Sequence, residues 1–129
     1  MFRCVALFVL AVLALPAPAH AQSSVAPDIV LVRVAGPWQT ADGGGISRLV
    51  ARSGGGAVAF AVEWISDSGQ VVQSMPVAAP PGSENLPLAR IRNDSGTADS
   101  AVYFDTPDGN TFTLIVGPPG EARFGAASN

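Results

Sequence analysis

Glu63 and Asp105 are the two acidic residues that stand inside alternating apolar stretches, AVAFAVEWIS and SAVYFD; the other eight of the ten Asp and Glu residues lie in or beside segments rich in Gly, Pro, Asn and Ser. Two carboxyl groups at a set separation suffice for glycoside hydrolysis, so a carboxylate-dependent hydrolase is the one enzyme chemistry these residues allow. Asp in turns more commonly bonds its own backbone. Asn93, Asp94 and Asp99, or Asp105, Asp108 and Asn110, gather oxygens of the kind a hard cation such as calcium takes. Neither stretch has the D-x-[DN]-x-[DN]-G pattern, and both read more simply as hairpin turns, so no metal and no cofactor is expected.

The basic chemistry is all arginine, since the chain contains no Lys. Arg48 and Arg52 share one face of a strand with Val50 between them, and Arg90 and Arg92 share a face of another. If those strands are neighbours, four guanidinium groups form a patch whose planar forks suit carboxylate or phosphate. The plainer reading is that outward Arg solubilises a sheet and blunts its edges. Trp38, in GPWQT, falls in an expected loop and is the aromatic placed for contact; the competing reading folds it back over one end of the core. Arg48, Arg52, Arg90, Arg92 and Trp38 are therefore the candidate binding residues.

Several chemistries drop out with the N-terminus. MFRCVALFVLAVLALPAPAHA has one basic residue, an apolar run from Val5 to Leu15, a Pro break and Ala19 and Ala21 around His20, the make-up of a secretory signal peptide cleaved after Ala21. The apolar run is about half the roughly 20 residues that span a bilayer, so no transmembrane anchor is expected. Cys4 and His20, the single Cys and the single His, leave with the signal. Cys or Ser-His-Asp nucleophiles and Cys- or His-based metal sites are then impossible in the mature chain. Without Arg3, six Arg face ten acids, a net charge of −4, which argues against nucleic acid as a partner. Arg in place of Lys, with abundant Ala and Gly, points to a GC-rich bacterial genome; in a eukaryote, Asn93-Asp94-Ser95 would be a glycosylation sequon.

The elements that position these residues read as strands. No window keeps a helical period, and apolar segments at 28–35, 46–52, 57–66, 70–77, 86–92, 100–105, 111–116 and, weakly, 121–124 alternate with clusters of turn residues. Ser66-Asp67-Ser68-Gly69, Asn93-Asp94-Ser95-Gly96 and Pro107-Asp108-Gly109 should each close a hairpin, as should Gly54-Gly55-Gly56 with less definition. The longer connections 36–45 and 78–85 are the places for a crossing between sheets. If Ile65 pairs with Gln70, then Trp64 faces Val71, Val62 faces Gln73 and Phe60 faces Met75 on a core side, and Glu63 faces Val72 on a solvent side.

The expectation is a single all-β domain over 28–125, an antiparallel β-sandwich of Ig-like architecture with about seven or eight short strands, after a signal peptide (1–21) and a polar leader (22–27) and before a tail (126–129). Its expected role is a non-enzymatic binding or interaction module, periplasmic or secreted, meeting an anionic envelope component or another envelope protein. The alternative is a structural or assembly subunit of a surface appendage or coat, adding an edge strand such as 28–35 to a neighbour.

Overall fold

The computed structural model describes residues 28–94 and 101–127. The expected signal peptide, the leader, Ser95 to Ser100 and the last two residues of the tail lie outside them, and with these Ser95 of the sequon and Asp99 of the first calcium stretch. Among the described residues no helix is long and apolar enough to cross a membrane.

The chain is all-β, in two four-stranded antiparallel sheets. The first runs β1 (Ile29–Thr40), β2 (Gly43–Gly54), β3 (Ala57–Ser66), β4 (Val71–Val77); the second runs β5 (Ile91–Asn93), β6 (Val102–Asp105), β7 (Thr111–Val116), β8 (Ala122–Ala126). Strand order is sequential in both sheets, whereas an immunoglobulin domain interleaves its strands between sheets. Each expected turn that can be seen joins neighbours: the β2–β3 turn uses Gly55 and Gly56 at φ 59° and 80°, the two positive values a type I′ hairpin needs.

Alternation aims one face of each sheet at a common core. Leu31, Leu49, Ala51, Val62 and Trp64 from the first sheet meet Ile91, Val102, Phe104 and Leu114 from the second. Phe104 stands edge-on to Phe60 and to Phe124, at centroid separations of 5.2 and 4.7 Å, which ties β3, β6 and β8 together through aromatic packing. Trp64 is fully buried and donates its indole N–H to the Gly117 carbonyl at 3.0 Å.

Three expectations need correction. Residues 36–45 are not a connection: β1 continues to Thr40 and turns directly into β2, and the crossing between sheets is made after β4 alone. The β3–β4 register departs from the expected one by one residue at Ile65, which pairs with Val71, and by two beyond it, where Trp64 pairs with Gln73, Glu63 with Ser74, Val62 with Met75 and Phe60 with Val77; the bulge keeps Gln73 and Met75 on the core side and moves Val71 to the outer one. The strand expected over 86–92 is a 3-10 turn at Leu88–Arg90 followed by the short β5, because Pro87 fixes the backbone at its start.

Candidate functional site

Face assignment follows from the ladders, since paired residues point the same way. Leu49 and Ala51 enter the core, so Ile46, Arg48, Val50 and Arg52 of β2 point outward. On this outer face Val34, Arg48, Glu63 and Ser74 form one cross-strand row, Val32, Val50, Ala61 and Pro76 the next, and Pro37, Ile46, Ile65 and Val71 another. Two of these rows are wholly apolar. Val32, Val34 and Ile46 are 38%, 42% and 45% exposed.

Glu63, expected as a solvated carboxylate, is only 7% exposed. Arg48 donates to its Oε2 from Nη2 at 2.7 Å and from Nε at 2.9 Å. Arg52 reaches the other carboxylate oxygen at 3.7 Å and also holds Asp28 from Nη1 at 3.1 Å. Ala59 and Ala61 have no side chain beyond Cβ, which leaves the space these arms cross. Val50, between the two arginines on the outward face, is fully buried beneath them, as expected when aliphatic stems cover apolar surface while their heads stay charged.

The outer face of the second sheet is different in kind. By the same reasoning it carries Arg92, Tyr103, Asp105, Thr111, Thr113, Ile115 and Arg123, the polar exterior usual for an antiparallel sheet with one wet side. Arg92 donates to Asp105 from Nε at 2.6 Å and from Nη2 at 3.3 Å, and its guanidinium lies 4.7 Å from the centre of the Tyr103 ring. The Arg92 hydrogen bond, aided by the Thr111 hydroxyl and the charges of Arg92 and Arg90, holds the Asp105 carboxyl below its ordinary value against the opposing push of desolvation. The same bond raises Arg92. Asp108 is also lowered, chiefly by the Thr106 hydroxyl and then by Asn110, as in a turn Asp that caps its own loop.

The candidate binding residues are thus dispersed. Arg48 and Arg52 stand on β2 and Arg92 on β5, strands of different sheets with no ladder between them, while Arg90 belongs to the 3-10 turn. Arg48, Arg52 and Arg92 already hold carboxylates. Trp38 is half-buried on the inner face: an extra residue in β1 between Val34 and Gly36 reverses the alternation, so Trp38 packs against the core and donates to the carbonyls of Ile46 and Ile65, both at 3.2 Å. Its ladder partner Gly45 allows this close approach, since a Cβ there would stand 1.8 Å from the Ile65 oxygen. Glu63 and Asp105 lie on opposite outer faces, each bonded to Arg, and cannot act on one substrate atom as an acid–base couple. Among the described residues no three Asp, Glu, His or Cys side chains gather as a metal would need.

No known family, curated protein or solved structure matches the chain. What could be found by inspection was the Glu63 position; what could not was its burial, since the covering arginines come from another strand and the small residues beside it, Ala59 and Ala61, looked like ordinary alternation.

Proposed function

We propose that the chain is an exported, non-enzymatic interaction module of the periplasm or cell envelope, a two-sheet sandwich that works by pairing the outer face of its first sheet with the same face of a second copy. The observation that supports this most is the contrast between the two exteriors: one has the Arg, Thr and Tyr of a solvated sheet, the other has apolar rows around a neutralised ion cluster. Exposed apolar surface of that sort marks an association site. Export rests on the signal-like N-terminus, and the non-enzymatic reading on carboxylates that are already engaged.

A second copy is the occupant that the charges favour. The mature chain is acidic overall and copies repel, but on this face Arg48 and Arg52 balance Glu63 and Asp28, so two such faces meet without net repulsion. Four strands about 4.8 Å apart and some eight residues of about 3.3 Å give roughly 500 Å² per copy, less than the ~800 Å² per partner of a standard interface. Pairing in the micromolar range is expected. Growth through edge strand β1, the appendage reading, has less support, because Arg33 donates to the Ile91 carbonyl at 3.1 Å and Asn93 to that of Val34 at 2.7 Å, covering that edge with the second sheet.

Sedimentation velocity of the mature chain across the micromolar range tests the reading. Wild type should pass from monomer to dimer, and the exposed double substitution Val34→Glu with Ile46→Glu should remain monomeric at unchanged melting temperature. A wild type that stays monomeric, or a double variant that dimerises equally well, would refute it.

A further inference from the structure

The two sheets meet along two seams, and only one is stitched. At β1 and β5, Arg33 and Asn93 bridge the edges. At β4 and β8 no ladder joins the two strands among the described residues. Two cavities follow one another there, of ≈ 360 and ≈ 500 Å³, sharing Ala122 and Arg123; the first is walled by Val77 and Phe124, the second by Met75 and Ile115.

The hydrogen-bonding capacity of the two edges is unequal. Pro76 has no N–H, so its pair with Ala61 is a non-hydrogen-bonded one and its backbone faces the seam; β4 therefore lacks a donor midway along this edge. In β8 the pattern is set from outside the strand: Gly117 N–H donates to the Glu121 carbonyl at 2.8 Å and Ala127 N–H to that of Thr111 at 2.9 Å. By alternation Arg123 and Gly125 bond to β7, while the N–H and C=O groups of Ala122, Phe124 and Ala126 all point into the seam. An unpaired, complete strand edge thus borders an apolar cleft.

Charge completes the picture. Arg123 is exposed at the rim of both cavities, with no ion pair or side-chain hydrogen bond among the described residues. Glu121 does not neutralise it, since its carboxylate lies against Gly117, where a Cβ would stand 2.9 Å from Oε2. We infer that the β4–β8 seam is a binding site for an extended peptide segment of a partner protein, added as a ninth strand to β8, with apolar side chains entering the cleft opposite Ala122 and Phe124 and an acidic side chain between them meeting Arg123. Strand addition draws affinity from the main chain and specificity from alternate side chains, and the acceptor pattern here is apolar–acidic–apolar.

The test uses the mature chain labelled with nitrogen-15 and two capped heptapeptides, TTVEVTT and its counterpart TTVQVTT. The acidic peptide should shift the amide signals of Ala122 to Ala126, Met75 and Val77 and bind roughly three- to fivefold more tightly than the Gln peptide, the gain of a partly exposed ion pair. Arg123→Gln should remove that preference without weakening the Gln peptide. Ala126→Pro, which deletes a seam-facing N–H and no internal bond, should weaken both. Absence of shifts at saturating peptide, shifts confined to other surfaces, or a peptide preference indifferent to Arg123→Gln would overturn the proposal. So would the same shifts on simple concentration without peptide, which would give the seam to a second copy.

Discussion

Replacing Glu63 by Leu should destabilise the chain, and replacing Arg48 by Met in the same molecule should recover most of the loss. The Glu63 side chain is 9% exposed and that of Arg48 32%. Removing one partner of a fully buried pair typically costs 3 to 5 kcal/mol, because the other charge is stranded. Here Arg48 is about a third exposed and Arg52 more so, and both can take up water, so the cost of Glu63→Leu falls to about 2 kcal/mol. In a domain of about 100 residues that lowers the melting temperature by roughly 8 to 16 °C. The double variant replaces the pair with apolar groups of similar volume over Val50 and should lie within about 1 kcal/mol of wild type. Urea unfolding of both single variants and the double variant, read by tryptophan fluorescence at concentrations too low for dimerisation, gives the coupling energy directly. If Glu63→Leu leaves the midpoint unmoved, or if the double variant loses the sum of the two single losses, the cluster is not the buried pair described above.

Trp64→Phe leaves the Gly117 carbonyl without its donor and opens space in the core; a loss of about 2 to 3 kcal/mol with an unchanged urea slope is expected, with Trp38 remaining as the reporter. Stability should also fall with acidity through Asp105. Its carboxyl is held below the ordinary value in the folded chain, so its contribution is complete above the unfolded value, near pH 4, and is lost as pH drops through the lower folded one. Asp105→Asn should therefore flatten the decline in melting temperature below pH 4 while costing less than about 1 kcal/mol at neutral pH, and an unchanged acid limb in that variant would contradict the assignment.

The strands of the first half were legible from period and turn chemistry: Ala57–Ser66 was placed at its observed bounds, and the Trp64 side was placed on the core. Three bulges do not show in that period. In β1 the inserted residue before Gly36 moves Trp38 from one face to the other, and in β4 an inserted residue moves every pairing beyond Ile65. A bulge adds no composition signal that a period-two count detects; it is fixed by how twisted strands fit a core. The arginines were legible as faces but not as partners, because their carboxylates come from other strands or from further along the chain: Glu63 from β3, Asp28 from the start of the described chain, Asp105 from β6. The open seam was equally hidden, being the product of one proline on an edge and a register set by the turn before β8 and carried through to Ala127.

Sequential strand order makes almost every pairing in the molecule local. Each sheet is a meander of strands adjacent in sequence, and one connection, between β4 and β5, carries the chain from one sheet to the other. Loop closure then costs little until the sheets dock, and folding should be fast for an all-β chain, since rate falls as contacting residues lie further apart in sequence. The docking step is the exception. It joins Phe60 to Phe104 and Trp64 to Gly117, contacts that span about half of the domain, and each meander presents an apolar inner face until it occurs. During synthesis the first sheet emerges with its inner face apolar and nothing yet made to cover it, so the interval between completion of β4 and completion of β8 is when the chain is most exposed to aggregation.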